Sequence, residues 1–179
     1  KNVREKFGFG NKKIIGMVAA FSIYKDYRTF ILSAIEVLSN RDDVIFVCVG
    51  DGEKLNECKS LVQDEYKSKI IFTGKQKKIE EIVNVFDVGV LSTLTEGISN
   101  SIMEYMALSK PVIVTGGGGS SELVEQNITG FLIEQGNQFE MAEKINFLLD
   151  NPVKKKEKKC KGREKLEQEF NLKRMVEET

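Results

Sequence analysis

The 179-residue chain has no histidine and no tryptophan, only two prolines and only three cysteines. Without histidine it lacks the usual general base, the usual activator of a nucleophile and the commonest transition-metal ligand. Any chemistry must therefore run on carboxylates, backbone dipoles and lysine, or on groups supplied from elsewhere. Cys48, Cys58 and Cys160 are odd in number and widely spaced, with no CxxC pair. That pattern fits reduced thiols in a cytoplasm and argues against a disulfide framework or a zinc site. Cys48 falls in an apolar run and is expected in the core. No segment approaches the ~18 consecutive apolar residues of a membrane span, and none reads as a signal peptide. Charge of one sign is also missing: 27 Lys and Arg balance 27 Asp and Glu, so no global field recruits nucleic acid. Neither a metal nor another cofactor is expected.

What is present reads as one domain. A hydrophobic content of 41% excludes disorder, and the length suffices to bury a core without staples. Residues 1–11 are polar, end in Gly8-Phe9-Gly10-Asn11 and read as a linker; because the chain begins at Lys1, it reads as a fragment. Residues 12–170 alternate short apolar runs with helical spacing. Strands are expected at Ile14 to Ala20, Val44 to Val49, Lys69 to Phe72, Asp87 to Leu91, Val112 to Thr115 and Phe131 to Ile133. Helices are expected at Tyr27 to Leu38, Glu53 to Tyr66, Lys78 to Phe86, Ile102 to Leu108, Ser120 to Glu125 and Gln138 to Leu149. A charged helix follows Pro152 to about Phe170, leaving 171–179 as an aperiodic tail. Such alternation implies an α/β fold: a doubly wound, Rossmann-like parallel sheet of about six strands with helices on both faces. Ligands of such sheets sit beyond the carboxyl ends of the strands, where the polar and glycine-rich loops gather.

The stretch Leu94 to Glu104 sits on that edge and places Glu96 and Glu104 eight residues apart across a strand-to-helix junction. Gly97 permits close backbone approach. Ser99, Asn100 and Ser101 supply short polar side chains where a helix begins with unpaired N–H groups, an end that attracts phosphate. A ligand with hydroxyls at both ends and phosphates between them, such as a nucleotide sugar, suits this arrangement. The competing structural reading is local: Ser101-Ile102-Met103-Glu104 fits a capping box, in which Glu104 only reaches back to its own helix start.

Other phosphate motifs fail. Gly50-Asp51-Gly52 has no third glycine at Leu55, and the Gly116 run meets Ser121 where the third glycine of a dinucleotide fingerprint belongs. No GxxxxGK[ST] occurs. Gly116 to Gly119 serves either as a phosphate cradle or as a flexible turn. The run Lys154 to Lys165 carries seven lysines, one arginine and two glutamates; a solvated helix face accounts for it more simply than anionic headgroups do.

Glu96, Gly97, Asn100, Ser101 and Glu104, followed by Met106 to Ile113 and by Gly118-Gly119-Ser120-Ser121-Glu122-Leu123-Val124, resemble the C-terminal domain of the group 1 retaining glycosyltransferases. The likeness covers nearly the whole chain, including Gly50-Asp51-Gly52-Glu53 and Asn127 to Leu132. It implies the GT-B architecture, two Rossmann-like domains facing across a cleft, of which the acceptor-binding domain would precede Lys1. It also implies roles for residues. Glu96 would contact the hydroxyls of the donor sugar and Glu104 the ribose, while the backbone of Gly97, Ile98, Ser99, Asn100 and Ser101 holds sugar and phosphate. Lys25 would contact the diphosphate, with Gly74, Lys75 and Gln76 against the base and Gly50 beside them. Catalysis, assigned to Glu96 and Lys25, would rest on stabilising the departing diphosphate. One departure stands out: the family commonly has arginine where this chain has Ala20, so a bidentate phosphate clamp is missing. The implied function is transfer of a hexosyl group from a UDP-, GDP- or ADP-linked sugar to a polysaccharide or glycolipid acceptor. The implied place is the cytoplasm, at the inner face of the membrane, with peripheral association of the full-length enzyme. The alternatives are nucleotide binding without transfer and a dinucleotide-dependent oxidoreductase.

Overall fold

The computed structural model describes residues 2–94 and 99–178. Six strands, β1 (Lys13–Val18), β2 (Val44–Val49), β3 (Ile70–Gly74), β4 (Val88–Leu91), β5 (Val112–Thr115) and β6 (Gly130–Ile133), form one sheet in the order β3-β2-β1-β4-β5-β6. Every pairing is parallel. Parallel strands are covered on both faces and therefore read as continuous apolar runs. In β2, β4 and β5 every residue is buried.

The chain lays down β1, β2 and β3 in one direction and then returns to place β4 on the other side of β1. The crevice where the winding reverses therefore opens between β1 and β4. Pairing there is short: β1 matches β2 from Lys13↔Val44 to Val18↔Val49, but meets β4 only at Ile15↔Val88, Gly16↔Gly89 and Met17↔Val90.

Among the described residues there are eight helices, α1 (Val3–Phe7), α2 (Tyr27–Leu38), α3 (Leu55–Lys59), α4 (Ile79–Val83), α5 (Asn100–Ala107), α6 (Gly118–Leu123), α7 (Gln138–Asp150) and α8 (Pro152–Glu178), of which α2 to α6 connect successive strands. The buried side of α2 (Phe30, Ile31, Ala34, Val37) belongs to the same core as Met141, Ile145 and Leu148 of α7. On the other face α5 contributes Ile102, Tyr105 and Met106.

Several expectations are revised. Residues 2–11 are more ordered than a linker: Asn2 caps α1 by accepting the Glu5 N–H at 2.9 Å, Arg4 donates to the Gly10 and Lys12 carbonyls, and Phe9 is buried. The helix expected from Glu53 to Tyr66 is instead α3 followed by a separate 3-10 turn at Asp64–Tyr66. β3 runs on to Gly74, because the Gly74 carbonyl accepts the Gly50 N–H at 3.1 Å. The tail is helical, as α8 continues to Glu178.

The lysine run lies on α8 with part of it turned inward. Lys155 pairs with Asp87 at 2.9 Å, Lys158 donates to the Asn127 carbonyl at 2.7 Å, and Lys165 reaches Glu125 at 3.4 Å. These lysines fasten the helix to the domain. Among the described residues no helix is long and apolar enough to cross a membrane.

Candidate functional site

The loops leaving β1 and β4 are laced together on the carboxyl edge. Lys25 and Thr93 form an antiparallel bridge, Leu94 N–H donates to the Tyr24 carbonyl at 2.9 Å, and Asp26 N–H donates to the Ser92 carbonyl at 3.0 Å. The first loop is itself anchored from α2. The Asp26 carboxylate caps that helix, accepting the Thr29 N–H at 3.0 Å and the Thr29 hydroxyl. The Tyr27 hydroxyl lies within hydrogen-bond reach of the Met17, Ala19 and Val49 carbonyls, and its ring stacks on Phe21 at 3.8 Å. Burial pushes the Tyr27 phenol well above its ordinary pKa, so it stays a neutral donor. Lys25 is thereby held, half-buried, on the lip of the crevice.

The second anchor is α5. Its cap is Ser99, whose hydroxyl accepts the Ser101 N–H at 3.2 Å. The capping box on Ser101 is therefore not formed. Ser101 stands inside the helix and its hydroxyl donates to the Val18 carbonyl at 2.6 Å. The Tyr105 hydroxyl accepts the Val18 N–H at 2.7 Å and donates to the Val90 carbonyl at 3.0 Å. Both backbone groups of the last residue of β1 are thus held by side chains of α5. Released from a capping role, the half-buried Glu104 carboxylate makes no side-chain hydrogen bond or ion pair to another described residue.

Glu104, Asn100, Ser101, Val18 and Ile79 line a small hollow of about 160 Å³. Val18, Ile79 and Ser101 are also part of a larger cleft of about 740 Å³, which continues along Ala19 and Ala20 to Lys75 and Gln76. The size falls in the range of small-molecule sites, roughly 300–1,000 Å³. Gly50 walls one side for a backbone reason. Its φ is +144°, and a Cβ would stand 2.0 Å from the Ala19 carbonyl oxygen, so the loops after β1 and β2 touch only because residue 50 is glycine. Gln76 is steadied by donating to the Thr73 carbonyl at 2.9 Å, and Lys75 is exposed at the rim.

The structure thus brings Glu104, Asn100, Ser101, Gly50, Lys75 and Gln76 around one connected cleft, with Ser99 at the helix start and Gly74 at the end of β3. Lys25 lines a neighbouring hollow of about 520 Å³ with Phe21 and Leu94. Glu96, Gly97 and Ile98 lie outside the described residues. The glycine run after β5 differs from expectation: α6 begins at Gly118, and Ser121, within the helix, accepts the Gly117 N–H at 3.1 Å instead of capping a later start. Sequence reasoning missed Tyr105 and the apolar walls Val18 and Ile79. The signal for Tyr105 was a bulky residue beside Glu104 together with a glycine, Gly89, inside an otherwise apolar strand. Among the described residues no three His, Cys, Asp or Glu side chains are grouped to hold a metal ion.

Residues 12–151 match the family model described as glycosyl transferases group 1. Over 128 residues the chain is 33% identical to the UDP-Gal:alpha-D-GlcNAc-diphosphoundecaprenol alpha-1,3-galactosyltransferase of Escherichia coli, covering 69% of this chain and 33% of that protein. A TarM mutant from S. aureus, in complex with Fondaparinux, alpha-GlcNAc-glycerol and UDP, superposes with a TM-score of 0.87 at 25% identity, over 93% of this chain and 34% of that one. The C-terminal domain of a glycosyl transferase group 1 family protein (LpcC) from Francisella tularensis shares the fold, with a TM-score of 0.83 at 22% identity over 95% of this chain and 93% of that domain. The chain spans between 33% and 50% of the length of the curated relatives it matches.

Proposed function

The chain belongs to the group 1 glycosyltransferases, and on that premise we propose that it is the donor-binding domain of a retaining enzyme, holding a nucleoside-diphosphate sugar in the cleft at the carboxyl ends of β1, β2 and β3, beside α5. The observation that carries this reading is Glu104. Glu104 lines the small hollow that adjoins the cleft, on a helix pinned at both Ser101 and Tyr105, and its carboxylate has no structural duty among the described residues. A carboxylate so placed accepts two hydroxyls of a ribose, in charge-assisted bonds stronger than neutral ones. The base then lies toward Gly74, Lys75 and Gln76, and the diphosphate toward Lys25 and the segment from Gly97 to Ser101. There Glu96 meets the hydroxyls of the sugar.

In the reaction the anomeric carbon exchanges its bond to the diphosphate for one to the oxygen of an acceptor hydroxyl on the same face, and the hydroxyl's proton passes to the departing phosphate. Lys25 and the helix start of α5 offset the charge growing on the departing phosphate. No metal or other cofactor enters this scheme. The acceptor, a polysaccharide or glycolipid, is bound by a domain preceding this one, at the cytoplasmic face of a membrane. The diphosphoundecaprenol acceptor in the name of the E. coli relative supports a lipid-linked class.

A thermal-shift panel of UDP, GDP, ADP and NAD tests the reading. A rise in melting temperature with at least one nucleoside diphosphate is expected; a rise with NAD alone supports an oxidoreductase, and no rise with any of the four refutes the donor site. Ala20, on the cleft wall where the family commonly carries arginine, favours a second reading in which nucleotide binds without transfer. Turnover of the sugar nucleotide by the full-length protein separates the two.

A further inference from the structure

Tyr105 sits where β1 and β4 part. Met17↔Val90 is the last register pair between these strands. Immediately beyond it the Tyr105 hydroxyl joins the Val18 N–H (2.7 Å) to the Val90 carbonyl (3.0 Å). The ring is fully buried and rests on Gly89, where any Cβ would collide with it. One side chain of α5 therefore bridges the two strands at the mouth of the crevice. The residue before it, Glu104, lines the same small hollow as Tyr105 and Val18, the last residue of β1. Rotation of α5 about its axis would break the Tyr105 bonds and the Ser101 bond to Val18 together.

We propose that Tyr105 is a positioning residue for nucleotide binding: its hydroxyl fixes the rotation of α5 against the opened end of the β1–β4 ladder, and so sets where the Glu104 carboxylate meets the ribose. Gly89 is part of the same device, because only glycine leaves room for the ring. The inference rests on the ribose assignment of Glu104 made above.

The test is a double-mutant cycle on this chain, read by calorimetric titration of UDP, or of whichever nucleoside diphosphate the panel selects. Tyr105→Phe is expected to weaken binding about fivefold in the native background, a coupling of the size seen between contacting residues, and to add nothing once Glu104→Gln is present. A remote core change of comparable stability cost, Ile145→Ala in α7, is expected to leave affinity unchanged; a merely structural tyrosine would behave as that control does. If Tyr105→Phe melts below the titration temperature, Gly89→Ala, which keeps the hydroxyl but displaces the ring, takes its place in the cycle. Unchanged affinity in Tyr105→Phe beside a clear loss in Glu104→Gln overturns the positioning role alone. Equal fold losses in both backgrounds overturn it too. Unchanged affinity in Glu104→Gln removes the ribose assignment and this inference with it.

Discussion

Gly89 in β4 lies directly against the ring of Tyr105 in α5: a Cβ at residue 89 would stand 2.5 Å from ring atoms Cδ2 and Cγ. The ring has no free end to swing aside, since its hydroxyl is bound on both sides. Gly89→Ala therefore overpacks a closed core and is expected to cost about 1–3 kcal/mol. For a domain of this length that lowers the melting temperature by about 2–4 °C per kcal/mol. A melting curve matching the native protein would show that the sheet yields at no cost.

Two glycines on the carboxyl edge separate backbone strain from backbone collision. Gly74 has φ +73° with nothing within 4 Å of a Cβ, whereas Gly50 combines φ +144° with the Ala19 carbonyl oxygen 2.0 Å from that Cβ. Gly74→Ala is expected to cost about 1–2 kcal/mol, the left-handed penalty alone. Gly50→Ala adds the displacement of the loop after β1 and is expected to cost several times as much. Chemical denaturation of both variants checks the order, and equal costs would remove Gly50 from its walling role.

The lysines of α8 divide by direction. Lys158 is buried, donates to the Asn127 carbonyl at 2.7 Å and stands 5.0 Å from the centre of the Phe131 ring, while Lys156 is exposed. Lys158→Met leaves that carbonyl without its donor, at a cost of about 1–3 kcal/mol; Lys156→Met is expected to change stability by less than about 0.5 kcal/mol. Equal effects in denaturant titrations would mean that the run acts only as a solvated face.

Acid stability carries a signature of Asp43. The Arg41 guanidinium, bonded at 2.8 Å, holds the Asp43 carboxyl down at about 2. Because the folded pKa is depressed, the pair's contribution is complete above the unfolded carboxyl value, near 3.9, and is lost as pH falls toward 2. The Asp43 side chain is 45% exposed, so solvent screening keeps the contribution below about 1 kcal/mol. Asp43→Asn is expected to flatten the fall in melting temperature between pH 5 and pH 2 by that small amount. An identical slope in both proteins would mean that the pair contributes nothing.

The architecture was legible because its signals are local and repeated. The apolar run Val44–Val49 and the helix Tyr27–Leu38, led by the Asp26 cap, appear in the structure with the bounds that their periodicity suggests. Where a tertiary contact decides between local options, the pattern misleads. Ser99 and Ser101 are equally good caps by residue type, and only the Val18 carbonyl, 83 positions away in sequence, draws the Ser101 hydroxyl from the capping role. The break after Lys59 has a similar origin. Its stretch mixes charged and apolar residues with no proline or glycine to mark an end, and Leu61 and Val62 turn to the core beyond α3. Tyr105 was missed for a different reason. A tyrosine on an apolar helix face reads as core, and nothing in the helix itself shows that its hydroxyl meets two strands.

Glu104 is the proposed partner of the ribose of a nucleotide. Glu104→Gln keeps the shape of the side chain and, since Ser99 and not a box with Glu104 caps α5, leaves the helix start untouched. It removes the charge from an acceptor, which is typically worth about 1.5–3 kcal/mol, or roughly ten- to a hundredfold in affinity. Calorimetric titration of the selected nucleoside diphosphate into both proteins, beside melting curves without ligand, measures this directly. A dissociation constant higher by that factor is expected in Glu104→Gln, with little change in the ligand-free melting temperature; equal dissociation constants would rule out the ribose contact.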